Sequence, residues 1–161
     1  LIFLIVEFTG GSENGQHMLE CGAVYAPLII EQGQWYRMIT SMFLHFGAPH
    51  LINNMLVLFV LGQRLEPVTG KMKFLLIYIL GGLGGNLISL IWDMRTGNYS
   101  LSAGASGAVF AVMVVFNIGP EVIISADTGA TIVDLCGTLF CIVVAFSFIG
   151  EIKAFEGWKK N

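Results

Sequence analysis

The sequence predicts an all-α fold, a polytopic bundle of membrane helices. Composition is the first observation behind that expectation. Of 161 residues, 55% are apolar and only 12% are charged, whereas a soluble domain carries about 25% charged residues. A water-facing surface is hard to assemble from such a mixture. The second observation is that the apolar residues gather into segments separated by short polar stretches. The length fits one domain. A net charge of -3 and the lack of a basic patch leave no footing for nucleic acid as a partner.

Leu1 opens the chain, and residues 1–6 are apolar before polar residues follow at once. A bilayer needs about 20 apolar residues, and no basic region stands ahead of this stretch as a signal peptide would require. The expectation is the tail of a transmembrane helix, with the chain incomplete at its N-terminus. Residues 7–34 then form a long acidic loop with no Lys or Arg.

Four further hydrophobic segments follow, at residues 50–62, 74–92, 103–118 and 130–149. The apolar character of the first reaches back through residues 38–44, across the interruption Phe46-Gly47-Ala48-Pro49. Residues 63–73 hold Arg64, Lys71 and Lys73, while residues 93–101 hold one Arg and the turn-forming Gly97-Asn98. Asn98-Tyr99-Ser100 is formally a glycosylation sequon, a match too short and common to carry weight. Positive charge marks the cytoplasmic side. Residues 64–73 are therefore expected inside and the acidic loop outside, which puts Ser106 toward the outer face. Gly81-Gly82-Leu83-Gly84-Gly85 lies within the second segment, and Gly81 and Gly85 make a GxxxG pair that lets another helix approach closely. Cys21, Cys136 and Cys141 have neither zinc-ligand nor CxxC spacing. Cys136 and Cys141 read as small apolar helix residues, and no metal site is expected.

Two constellations carry chemistry. Gly104-Ala105-Ser106-Gly107 opens the third segment. Small residues let backbone and substrate approach the serine hydroxyl, and a helix start offers unpaired N–H groups that can stabilise an oxyanion. The same residues also suit a helix cap on a small-residue packing face. The second constellation is Leu44-His45-Phe46-Gly47-Ala48-Pro49-His50-Leu51-Ile52-Asn53-Asn54. His50 and Asn54 are four apart and share one helix face, where both can donate to a negative oxygen. Polar residues at membrane depth usually mark function, although an interfacial polar cluster capping the helix start fits them too. His45, one loop earlier, suits a role pinning that loop to its neighbours.

Trp35-Tyr36-Arg37, His45, His50-x-x-x-Asn54, residues 62–66, the glycine-rich second segment and Gly104-x-Ser106-Gly107 occur in an order that resembles the rhomboid intramembrane serine proteases. The resemblance is strongest over roughly residues 22–116 and implies a rhomboid-like membrane domain over residues 1–161, incomplete at both ends. It implies Ser106 as nucleophile, with His50, Asn54 and the Ser106 N–H as an oxyanion site beside Gly104. It also implies Trp35 and Arg37 in a loop within the outer leaflet, and His45 and Glu66 as residues that hold loops together. Substrates would be transmembrane protein segments cleaved near the outer membrane face, in the lipid bilayer and without a cofactor. The short loops resemble those of bacterial members, which implies a multi-pass protein of a bacterial inner membrane.

The chain departs from the family in one respect. Family members supply a base, a histidine in an Ala-His-x-Gly-Gly type of sequence on a later helix. The histidines here are His17, His45 and His50, all before Ser106, and His17 reads as a solvated loop residue. Three explanations stand open: a chain that stops before its last helix, a remodelled protein, or an altered reading frame beyond about residue 116. In the second, Val133-Asp134-Leu135-Cys136-Gly137 places Asp134 where the histidine would be. An ordinary aspartate, with a pKa of about 3.9, is a weak base. Lys153, Lys159 and Lys160 would lie outside if the segments simply alternate, against the charge rule, which leans toward remodelling or a wrong tail. The alternative function is a catalytically inactive rhomboid-like protein that binds transmembrane helices. A channel or transporter has too few intramembrane charges for an ion path. A soluble hydrolase lacks the strand that precedes a nucleophile elbow.

Overall fold

A computed structural model of the chain describes residues 1–118, with side chains as far as Phe116. The expected all-α architecture is what it shows. Among the described residues three helices make the body: α5 (Gly47–Thr69), α6 (Lys71–Thr96) and α7 (Ser106–Ile118). Four short ones precede them: α1 (Ile2–Gly10), α2 (Gly15–Glu20), α3 (Ala26–Ile30) and α4 (Arg37–Thr40), the last running into a 3-10 turn, Ser41–Phe43. The fourth hydrophobic segment of the sequence, residues 130–149, and with it Asp134, Cys136 and Cys141, lies outside the described residues.

α6 has 26 residues, about 39 Å at 1.5 Å per residue, enough for a hydrocarbon core of about 30 Å. Among the described residues it is the one helix long and apolar enough to cross a membrane by itself. Arg37–Phe43 and Gly47–Thr69 pass the same test as a pair, bent by 90° between them. Extended backbone at Phe46 makes the bend, and Pro49 in the first turn of α5 lacks only an N–H that has no helical partner there. The polarity of these helices is inverted relative to a soluble protein. Ile52, Leu56, Phe59, Ile88 and Trp92 are exposed, while Asn54, Asn86 and Asp93 are buried. Lipid tolerates the first arrangement, and it penalises polar groups that face it.

The turn between α5 and α6 is tighter than the sequence suggests. Residues 63–69 continue α5 as helix, with Pro67 inside it, and Gly70 alone separates the two helices. Gln63, Arg64, Leu65 and Glu66 are good helix formers, so the helix outlasts its apolar stretch. α6 then meets α7 along the glycines. A Cβ on Gly85 would come within 3.1 Å of the Gly107 Cα, and one on Gly81 would strike the Ala111 side chain. The GxxxG pair is a backbone contact surface between helices, as expected.

The acidic stretch at residues 7–34 is not a simple loop. Asn14 caps α2, its Oδ1 accepting from the Gln16 and His17 N–H groups at 3.1 and 3.3 Å. Pro27 sits in the first turn of α3, where its ring suits the helix. Met18, Ala23, Val24, Ala26 and Ile29 are buried, and they join Leu44, Met38, Leu90 and Ala103 in two apolar clusters. Arg37 closes this part. Its Nη1 donates to the Leu19 and Ala23 carbonyls at 2.7 and 2.9 Å, and its Nε donates to Gln34 Oε1 at 2.7 Å. Trp35 and Tyr36 beside it are exposed.

Candidate functional site

The segment leading to Ser106 is tied down residue by residue. Asp93, buried near the end of α6, accepts from the Ser100 N–H and hydroxyl at 3.1 Å. Ser102 pairs antiparallel with Val24, the two N–H to carbonyl bonds measuring 3.0 and 2.8 Å. The Gly104 N–H donates to the Ser41 carbonyl at 2.9 Å, and the Ala105 N–H donates to His45 Nε2 at 3.4 Å. Ser106 then opens α7. The first helical bond runs from the Val109 N–H to the Ala105 carbonyl at 2.8 Å, so the N–H groups of Ser106, Gly107 and Ala108 stand at the helix start without a helical acceptor.

His50 and Asn54 approach this segment from α5. Gly104 has φ +141°, and a Cβ there would lie 2.7 Å from His50 Cε1 and 3.0 Å from Nε2. Only glycine suits that backbone and leaves room for the imidazole. Sequence positions 50 and 104 thus meet, two residues ahead of Ser106. Asn54 is buried one turn further along, and its Nδ2 has no hydrogen-bond partner among the described residues. A buried amide donor left open in this way is costly.

His45 has a different place. It is buried, its ring meets that of His50 edge-on at 5.3 Å between centroids, and its Nε2 accepts the Ala105 N–H. An accepting Nε2 carries a lone pair, so the neutral ring bears its proton on Nδ1. His45 thereby braces the serine segment and is not placed to take a proton from Ser106 with that nitrogen. Glu66 lies away from the serine, at the α5–α6 turn, where it lines a cleft with Gln63 and Lys71. His17 is not a freely solvated residue: its Nε2 lies 3.0 Å from Thr9 Oγ1 and 3.5 Å from Cys21 Sγ. Burial, and next the Glu20 carboxylate, push the Cys21 thiol up from its ordinary value, the opposite of an activated nucleophile.

Ser41, Asn86 and Asp93 escape the sequence reading. Asn86 Nδ2 donates to Ser41 Oγ at 2.9 Å and to the Met38 carbonyl at 2.8 Å. The available signal was an amide in the middle of an otherwise apolar segment, and intramembrane polar residues are worth singling out for that reason.

Comparison with known proteins adds an independent finding. The family model described as the Rhomboid domain matches residues 32–154. The chain is 38% identical over 113 residues to Rhomboid protease GluP of Bacillus subtilis, covering 70% of this chain and 21% of that protein. It is 39% identical over 85 residues to RHOMBOID-like protein 5 of Arabidopsis thaliana, covering 53% and 27% respectively. A mitochondrial plant relative, RHOMBOID-like protein 6 of Arabidopsis thaliana, is 36% identical over 106 residues, covering 66% and 33%. The chain therefore spans between a fifth and a third of the length of these relatives.

Proposed function

The chain belongs to the rhomboid family of integral membrane proteins, and from that premise we propose that it carries the nucleophile and oxyanion site of an intramembrane serine endopeptidase cleaving transmembrane segments near the outer membrane face. One observation carries the reading most: the His50 imidazole packs against Gly104, two residues before Ser106, and one turn along the same helix the Asn54 Nδ2 has no partner among the described residues.

In this reading Ser106 Oγ attacks the scissile carbonyl carbon. The carbonyl oxygen takes up the negative charge and receives hydrogen bonds from the His50 ring, the Asn54 amide and the Ser106 N–H. The amine leaves, and water hydrolyses the acyl-enzyme. The attack needs a base to take the serine proton. The family's later histidine has no counterpart among the 161 residues, so the isolated chain is expected to be nearly inactive, with only the residual rate that binding and oxyanion donors provide. A bacterial plasma membrane fits the short loops, and the plant and mitochondrial relatives keep an organelle in view.

A second reading is favoured by two observations on the histidines. All three histidines precede Ser106, and His45 already gives its Nε2 lone pair to Ala105. That suits a catalytically inactive protein that binds transmembrane helices. The test compares the 161-residue chain in membranes with the same chain extended by a helix carrying Ala-His-x-Gly-Gly. Cleavage of a transmembrane substrate and fluorophosphonate labelling of Ser106 should be strong only in the extended chain and lost in Ser106→Ala. An extended, folded chain that neither cleaves nor labels would leave the helix-binding reading standing.

A further inference from the structure

Asn86 is buried on α6, where an amide gains nothing from lipid and must find partners within the protein. It finds two. Nδ2 donates to the Met38 carbonyl of α4 and to the hydroxyl of Ser41, which opens the 3-10 turn. Ser41 is itself fully buried and faces both ways: its hydroxyl accepts from Asn86, and its carbonyl accepts the Gly104 N–H at 2.9 Å.

We propose that Asn86 is a positioning residue for the serine, acting through Ser41 to fix the Gly104 peptide and with it the first turn of α7. The relay is short and directional. From Asn86 to Ser41 to Gly104 each step is a hydrogen bond, and Ser106 follows two residues on. The other end of the same segment also rests on α6, because the Gly107 backbone lies against Gly85, the residue next to Asn86. One helix thus holds both ends of residues 104–107, by a polar relay at one end and by backbone contact at the other. A displacement of Gly104 would carry it away from the His50 ring that packs on it. The catalytic meaning of this placement rests on Ser106 being the nucleophile; the hold on Gly104 does not.

The deciding measurement is hydrogen exchange at the Gly104 N–H, made on the 161-residue chain in lipid nanodiscs. Asn86→Ala removes the donor. Ser41→Ala removes the hydroxyl and leaves the carbonyl that receives Gly104. Exchange at Gly104 should accelerate by roughly tenfold or more in Asn86→Ala and by less in Ser41→Ala, through local opening that spares the α6 amides. In the extended chain described above, fluorophosphonate labelling of Ser106 per folded molecule should fall roughly ten- to a hundredfold in Asn86→Ala, with KM for a transmembrane substrate unchanged. The double variant should be no worse than Asn86→Ala, because both changes break one relay. Unchanged exchange at Gly104 in Asn86→Ala overturns the proposal, as does acceleration spread evenly over α6, which would mark a general structural role. Should Asn86→Ala fail to fold, Ser41→Ala decides: faster exchange confined to Gly104 supports the relay, and unchanged exchange there overturns it. If Gly104 responds as expected but the extended wild-type chain never labels, the nucleophile reading fails and the hold of Asn86 on the segment stands.

Discussion

His45 and His50 lie five residues apart and face the serine segment in different ways. His45 accepts a backbone N–H with Nε2, so its role is fixed by hydrogen-bond geometry as a brace. His50 presents its ring to Gly104, and Asn54 presents an amide whose Nδ2 has no partner among the described residues. The Asn54 amide supports a specific expectation. In the extended chain, His50→Ala and Asn54→Ala should each lower the cleavage rate by about 10²–10³, the usual effect of losing one oxyanion donor. Asn54→Ala should do so without loss of thermal stability, since removing a buried donor that lacks a partner relieves a desolvation cost. Rates equal to wild type, measured on a model transmembrane substrate, would make both residues packing or capping groups. Residues of this kind were legible in the sequence because their spacing is local: 50 and 54 share a helix face, and 104, 106 and 107 share a turn. Ser41 and Asn86 were not legible. Their bond joins positions 45 residues apart, and only the tertiary fold reveals it.

At the scale of elements, apolar runs announced α5, α6 and α7, and their boundaries were the weaker part of the reading. Residues 63–69, richer in polar side chains than the run before them, stay helical because helix propensity does not end where hydrophobicity does. The helices within residues 7–34 left no clear trace in the sequence. They are six and five residues long, short enough to be marginal alone, and the buried Arg37 guanidinium and apolar clusters hold that stretch to its neighbours. The α6–α7 contact, by contrast, was visible as glycine spacing, and it can be tested at two adjacent positions. A side chain on Gly85 meets the Gly107 backbone, while one on Gly84 meets nothing within 4 Å among the described residues. Gly85→Leu should destabilise the protein by about 1–3 kcal/mol, as overpacking does, and should slow Ser106 labelling in the extended chain. Gly84→Leu should do neither. Unfolding in detergent, followed by circular dichroism, reads the difference; equal behaviour of the two variants would remove the close contact as its cause.

The molecule as a whole has a charge asymmetry as well as an inverted polarity. Arg64, Lys71 and Lys73 cluster at the α5–α6 turn, while residues 7–34 carry no Lys or Arg. The turn should therefore face the cytoplasm. Gln32 and Lys73 are both exposed, so single cysteines at these positions, in a background lacking Cys21, Cys136 and Cys141, give a direct reading. A membrane-impermeant maleimide should modify Gln32→Cys in intact cells and Lys73→Cys only after permeabilisation. The reverse pattern would invert the orientation and put Ser106 at the inner face.

The single residue Gly70 between α5 and α6 also limits how the protein can adjust to its host bilayer. Helices joined by a long loop can slide along one another when the hydrocarbon layer thins or thickens. Here the two helices start from a common point, and Gly62 of one lies close to Phe74 of the other. Hydrophobic mismatch must then be met by tilting the hairpin as one body or by deforming the surrounding lipid. Any such tilt would swing the far end of α6, where Asp93 holds Ser100, so the thickness of the membrane is mechanically connected to the approach to Ser106.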